Sequence, residues 1–200
     1  MSQTYFGQVI PVSGLNLGFA GKVSRLGERV VTSRQVLSTT PNAIAFGAPV
    51  VIIPNSSGGG DTVVSVADYV LSAGSGGQGG TFTAAKLAGV AIAEVLTQTN
   101  YTASLSPYTA QSGSYIQGNM CELLERGSIT VPINVGTPAS QGTVYVRVAA
   151  NASIPAGVVG GFEAAADGAN TVALTNVVFR TGVLDSNNMA EITLLSRVAA

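Results

Sequence analysis

Two pairs of closely spaced carboxylates are the residues best suited to chemistry in this sequence. Glu122 and Glu125 form one pair, and Glu163 and Asp167 form the other. Paired carboxylates serve as acid and base, or as acid and nucleophile, in glycoside hydrolysis. Both pairs stand beside apolar strands or in turns, however, and the chain has no Trp to stack on a sugar ring. A carboxylate-dependent hydrolase is therefore the weakest functional hypothesis.

The absence of histidine excludes most other catalytic and metal sites. Histidine supplies the general base of Ser and Cys triads and is a principal zinc ligand. The run Gly74 to Gly79 satisfies G-x-G-x-x-G, but a dinucleotide site needs that turn between a parallel strand and a helix. Asp61 lacks the alternating acidic ligands of a calcium loop. We therefore expect a non-enzymatic protein without metal or cofactor.

The composition indicates a protein that is covered by partners. Hydrophobic residues make up 46% of the chain, charged residues only 10%, and the net charge is -1. Soluble proteins carry about 25% charged residues, and such ions keep copies apart. The single cysteine, Cys121, cannot form an internal disulfide, so we expect a buried thiol. The balance favours a subunit of an assembly.

Nucleic acid and membranes are not expected partners. Nine basic residues against ten acidic ones give no electrostatic footprint for DNA or RNA. The longest apolar runs, near Ala48 to Ile53 and Leu87 to Ala93, are too short for a transmembrane helix. No basic leader with an apolar stretch and cleavage site opens the sequence, so we expect no secretory signal.

Residues 1–40 are predicted to form an extended N-terminal arm. Five glycines and Pro11 interrupt every possible helix there, and only Arg29 to Leu37 has strand-like patterning. The arm carries four basic residues and one acidic residue, which leaves it at +3. Because an apolar, cationic segment of this kind cannot build its own core, we expect it to lie on other subunits.

Residues 41–200 are predicted to form an all-β domain, a compact β-sandwich or barrel, with long loops at 72–81 and 98–114. Frequent Val and Thr suit strands, while Gly, Pro, Asn and Asp separate them. We expect the Gly-rich loop to be flexible and exposed. The predicted strands are Ala48–Ile53, Thr62–Leu71, Lys86–Thr97, Met120–Leu124, Ser128–Val135, Thr143–Ala149, Thr171–Phe179 and Ala190–Arg197.

Seven phrases, in order along the chain, resemble the cement or decoration proteins of tailed-phage capsids. Each phrase is weak alone, so their order carries the resemblance. The 74–80 loop and the polar stretch 100–114 resemble insertions. The phrases are Gly18–Gly21, Phe46–Val50, Leu87–Ala91, Arg126–Val131, Gly142–Val146, Phe179–Gly182 and Ala190–Leu194.

The resemblance implies a virion protein that binds the outer capsid surface and bridges major capsid protein subunits. It would be made in the host cytoplasm and would form a homotrimer, or else a dimer. The alternative is a tail, fibre or adhesin module that binds a host surface ligand through its loops. We expect the arm to contact partners, and strand addition by Arg29 to Leu37 is one way in which it would do so. The predicted contact residues are Phe6, Ile10, Leu17, Phe19, Lys22, Arg25, Arg29 and Arg34.

Overall fold

The computed structural model describes residues 17–25, 27, 29–54, 60–93 and 113–196, together with the strand backbone of residues 4–5 and 8–9. Strands make up 40% of the structure and helices 9%, which confirms the predicted all-β class. The strands are β1 (Thr4–Tyr5), β2 (Gln8–Val9), β3 (Val30–Val36), β4 (Ile44–Ala45), β5 (Pro49–Ile53), β6 (Thr62–Ser65), β7 (Leu87–Ala91), β8 (Ser114–Tyr115), β9 (Met120–Pro132), β10 (Thr143–Arg147), β11 (Phe162–Glu163), β12 (Thr171–Phe179) and β13 (Met189–Leu194).

Five strands close into a ring, which we call the first barrel. The pairings run from β9 to β3, β6, β5 and β7, and β7 pairs with β9 again. Every pair is antiparallel except the short parallel pair of β3 with β6. Each of the five strands contributes to one apolar cluster, which includes Val36, Val50 and Leu123. Alternation along the strands therefore fills the barrel with aliphatic side chains.

A second ring uses the other half of β9. Its strands follow the order β9, β13, β12, β10 and β11. Ile133, directly after β9, then bridges Phe162 of β11, which returns the ring to the chain segment where it began. Phe162 and Phe179 lie in the larger apolar core, which continues onto Val51 and Val64 of the first barrel. The two rings thus share one long strand, and the larger core contacts both of them beside the separate cluster of the first barrel.

The sequence analysis wrongly divided β9 into two strands at Arg126 and Gly127. The backbone ladder does not stop there, because Arg126 is paired with Val30 of β3 and Gly127 is paired with Leu194 of β13. The strand changes its pairing partner from one ring to the other at this point. Gly127 has φ of +126°, a conformation that glycine adopts without strain.

The predicted strand Thr62–Leu71 is also wrong in its second half. After β6 the chain forms a short helix, α1 (Val66–Val70). The Ser65 hydroxyl accepts a hydrogen bond from the Asp68 backbone N–H at 3.1 Å, which caps the helix at its N-terminus. Apolar alternation of Val and Ala residues hid this cap signal.

The Gly-rich loop that follows α1 is held in place by backbone hydrogen bonds. Its backbone N–H groups bond back to the preceding residues: Gly77 donates to Ser72 at 3.1 Å, Gly79 to Leu71 at 2.7 Å and Gly80 to Tyr69 at 2.8 Å. The loop is therefore folded against the end of α1; most of its residues are exposed, and its flexibility stays a prediction. The second predicted loop covers residues 98–114. Of these, residues 98–112 lie outside the described residues.

Candidate partner-binding surface

The second half of the predicted arm lies along the chain's own strands. We call residues 17–25 the docked segment. Gly21 N–H donates to the Thr130 carbonyl at 2.9 Å, and Ser24 N–H donates to the Ser128 carbonyl at 3.0 Å. Between them, Val23 forms a bridge with Ile129. The docked segment therefore covers the edge of β9 that faces away from β13.

β3, which holds most of the predicted strand Arg29 to Leu37, belongs to the chain's own sheet. Six residue pairs join it to β9, from Val30 with Arg126 to Gln35 with Met120. Val36 is fully buried in the first barrel beside Leu123. We therefore correct the expectation that this segment adds a strand to another subunit, because its apolar face fills the chain's own interior. The arm boundary at residue 40 stays a prediction.

Two buried carboxylates anchor the ends of the docked segment. At one end, Asp185 Oδ2 accepts a hydrogen bond from Leu17 N–H at 3.1 Å. At the other end, Arg25 donates to the two oxygens of Glu191 from Nε at 2.6 Å and from Nη2 at 3.0 Å. Ser24 Oγ adds a bond to Glu191 at 2.7 Å. Both acids come from the region around β13, more than 160 positions along the chain.

The surroundings of these acids favour their ionised forms. Burial alone would raise the pKa of Asp185, but backbone N–H groups of Met189, Leu17 and Asn187 lower it overall. Burial likewise opposes ionisation of Glu191, and the Arg25 guanidinium with the Ser24 hydroxyl brings its pKa below the ordinary value. Both anchors are therefore charged near neutral pH.

Acid should release the docked segment. A carboxyl group whose pKa is lowered in the folded state binds fewer protons there, so its stabilisation is complete above the ordinary pKa of about 4 and is lost as pH falls further. We expect the NMR amide signals of Leu17 and Gly21 to move to unstructured positions between roughly pH 4 and pH 2. In Asp185→Asn the Leu17 signal should already be displaced at pH 7. Unchanged signals at pH 2 would contradict the anchoring role.

Gly21 fits the docked segment into a narrow gap between backbones. Its φ is +79°, and an added Cβ would lie 2.6 Å from the backbone nitrogen of Ala93 and 3.0 Å from that of Gly47. Neither contact can be relieved by turning a side chain. The position therefore requires glycine on two counts, left-handed backbone and close approach.

Gly21→Ala should detach the docked segment locally, at a cost of about 2 kcal/mol from steric overlap and backbone strain. Protease sensitivity between residues 17 and 25 measures the detachment. Gly27→Ala is the matched control, because nothing lies within 4 Å of a Cβ at that position. Equal sensitivity of the two variants would count against this geometry.

The structure brings some of the predicted contact residues together and separates others. Phe19 is 59% exposed, and the Lys22 ammonium lies 6.0 Å from the centre of its ring. Arg29 is exposed at the start of β3. Arg34, in contrast, is partly buried and faces Asp61 at 3.7 Å. Leu17 and Arg25 are anchors to the domain, as described above.

Phe6 and Ile10 lie outside the residues whose side chains the structure describes. The sequence analysis missed Asp185 and Glu191 as anchors, since nothing local links them to an arm so distant in sequence.

The carboxylate pairs of the sequence analysis are occupied in internal bonds. Glu163 binds the buried Arg147, from whose Nε and Nη2 it accepts bonds at 2.5 and 3.0 Å. Asp167 accepts from Nη1 of the same guanidinium at 2.8 Å. Glu122 accepts a bond from Ser33 and Glu125 one from Thr32. These geometries suit structural ion pairs and polar contacts.

Three further observations concern metal binding, membrane insertion and the single cysteine. Within the described ranges there is no group of three side chains able to hold a metal ion. No helix among the same residues is long and apolar enough to cross a membrane. Cys121 is buried, and burial raises the pKa of its thiol, as expected of a structural cysteine.

Comparison with known proteins identifies the family. Over its whole length the fold is similar to a chain in the structure of the capsid of Myoviridae phage XM1, with a TM-score of 0.56, 17% identity, and coverage of 96% of this chain and 98% of that one. Comparison with curated proteins finds no match. A family model described as structural cement protein (E217 gp24/Pam3 gp6) matches residues 10–195. The chain therefore belongs to the phage structural cement protein family, and its role is that of a capsid cement or decoration protein.

Proposed function

We propose that this cement protein binds the outer surface of the capsid and bridges neighbouring major capsid protein subunits, with no catalytic activity of its own. The observation that carries the proposal is the family match over residues 10–195. The chain's scarcity of charge supports it, because a protein with only 10% charged residues suits permanent coverage by partners. We propose synthesis in the host cytoplasm and assembly onto the shell as a homotrimer, with a dimer as the alternative.

The proposed mechanism is stabilisation by selective binding. A protein that binds only the assembled lattice shifts the equilibrium toward that lattice by mass action. Modest contacts repeated over a whole shell then add up to a large collective effect. The two rings suit this task, because they share β9 and so hold their outer surfaces in a fixed relation.

We propose that the exposed residues of the arm supply the contacts. Phe19 offers an apolar ring for burial, which contributes roughly 25 cal/mol per Å² before ordering costs. Lys22 and Arg29 supply exposed positive charge. We retain Phe6 and Ile10 as proposed contacts. Leu17 and Arg34 hold the arm to the domain, and Arg25 does so while its side chain stays half exposed.

Reconstitution on shells tests the proposal. Purified chain is added to capsids assembled without it, and we expect saturable binding in hundreds of copies with a higher temperature of shell disruption. Phe19→Asp should weaken binding, whereas Val158→Asp, which alters a comparably exposed side chain on a loop of the second ring, should not. Absence of binding by the unaltered chain, or its presence in a few dozen copies at the tail, would reject the proposal.

A further inference from the structure

Four residues from four adjacent segments form a row across the outer face of the second ring. The Lys22 carbonyl accepts a bond from Thr130 N–H at 2.9 Å, and Arg180 N–H donates to the Glu191 carbonyl at 2.8 Å. Thr130 and Glu191 are direct register partners of β9 and β13. With adjacent segments about 4.8 Å apart, the row spans about 14 Å. Arg25 joins these residues through its two bonds to Glu191. We call the three cations Lys22, Arg25 and Arg180 the basic row.

The side chains of this row point to the same face of the sheet. Neighbours across a strand pair share a face, so Arg180, Glu191 and Thr130 lie on one side. Val23 packs against the apolar core, which turns its neighbour Lys22 outward to that same side. Lys22 and Arg180 are both exposed. The row thus places cations on both sides of one buried carboxylate.

Positive charge exceeds negative charge at this place. Glu191 is only 4% exposed and takes two bonds from Arg25, so it neutralises that one guanidinium. The Arg25 side chain is still 54% exposed, and its Nη1 donates to no acceptor among the described residues. Within the same part of the chain, no side chain accepts a bond from Arg180. Lys22, Arg25 and Arg180 therefore outnumber the two carboxylates nearby, Glu191 and Asp185, and leave a net positive charge for an incoming anion.

An open groove of about 560 Å³ runs beside the row, lined by Leu17, Gly18, Lys22, Val23, Ser24, Arg25, Thr130 and Glu191. The small residues Gly18, Ser24 and Thr130 are part of its lining. Phe19 is exposed on the docked segment that forms one wall. The groove thus carries two of the three cations, Lys22 and Arg25, in its lining, with the apolar ring of Phe19 on the same segment.

We propose that the basic row binds an acidic, extended polypeptide segment of the shell protein. The inference rests on the proposed function and assigns it a partner chemistry. Charge complementarity selects the occupant, because carboxylates spaced along an extended segment can meet Lys22, Arg25 and Arg180 in turn. Arg180 directly follows β12 and so does not belong to the arm. A contact that needs Arg180 can therefore be distinguished from a contact made by the arm alone.

Charge reversal at Arg180 tests the proposal on capsid shells assembled without this chain. Arg180→Glu should weaken binding of the full-length chain roughly tenfold to a hundredfold, and Arg180→Gln less than that. Arg126→Glu is the matched control: it makes the same change in net charge at another exposed arginine, on the half of β9 that belongs to the first barrel, and should cost less than about threefold. Raising salt should weaken the unaltered chain more than Arg180→Gln. Thermal unfolding confirms that all variants are folded.

The outcomes separate the two levels of the account. If the unaltered chain does not bind shells, the proposed function fails. If it binds and Arg180→Glu binds as well, the basic row is not the contact and this inference fails alone. An equal loss for Arg126→Glu overturns it too, because the effect would then be one of net charge. If Arg180→Glu loses affinity for duplex DNA but keeps its affinity for shells, the row serves nucleic acid and the proposal is wrong.

Discussion

Replacing Glu163 by glutamine is expected to cost about 3 kcal/mol of unfolding free energy, the cost of breaking a buried ion pair by removing one partner. Arg147 and Glu163 are both fully buried, and both carboxylate oxygens of Glu163 accept bonds from the guanidinium. The amide cannot supply this charge and directs an NH₂ group at one of the donors. Arg147 would then keep Asp167 as its only acidic partner.

Thermal unfolding measures this effect. For a chain of this size we expect a melting temperature lower by roughly 6 to 12 °C. Glu122→Gln is the matched control, since Glu122 is only partly buried and bonds to one serine on the surface of β3 and β9. Its loss should stay below about 1 kcal/mol. Equal losses at the two positions would show that the buried pair has no special weight.

Replacing Gly77 by alanine is expected to cost about 3 kcal/mol, at the upper end for steric overpacking. An added Cβ at Gly77 would lie 2.1 Å from the backbone oxygen of Leu71 and 2.5 Å from its Cβ. Leu71 follows α1 directly and cannot move without displacing it. The Gly-rich loop would have to leave its place, and its bonds to Tyr69 and Leu71 would be lost.

Gly74→Ala provides the control within the same loop, because no atom lies within 4 Å of a Cβ there. This variant should unfold at the denaturant concentration of the unaltered chain, or slightly above it. Urea unfolding of both variants makes the comparison. A Gly77→Ala protein as stable as Gly74→Ala would mean that the loop is not folded against α1.

The all-β class of the fold could be predicted from the sequence, but the closing of the strands into two rings could not. β12 has the predicted bounds, because a run such as Thr171–Phe179 carries its own β-branched alternation and ends at clear turn residues. The rings depend instead on pairings between distant strands, such as β7 with β9 and Ile133 with Phe162. No local pattern specifies which strands meet, so sandwich and barrel remained open alternatives.

The candidate surface also depends on contacts between distant segments, which local sequence patterns do not predict. The composition of the arm predicts Phe19, Lys22 and Arg29 as contact residues; the structure shows them exposed, and their contact with a partner stays a prediction. The acids that hold the docked segment, Asp185 and Glu191, are read from sequence as ordinary turn and strand residues. Their role follows from the tertiary position of β13 beside β9, which brings together residues more than 160 positions apart.

The arm itself illustrates how composition can mislead. Its glycines indicated a segment unable to fold, yet Gly21 is the residue that lets the docked segment pass between Ala93 and Gly47. The four cations indicated contact with other subunits, and two of them, Arg25 and Arg34, face acids of the same chain. In this arm, glycine therefore marks a close approach between backbones. Positive charge marks ion pairs within the chain as well as exposed positions.

A cryo-electron microscopy map of the intact particle tests the central claim most directly. We expect the two rings sharing β9 to fit density on the outer face of the shell, with each copy touching at least two neighbouring major capsid protein subunits. Density for this fold confined to the tail or fibres, with a bare outer shell, would contradict the account.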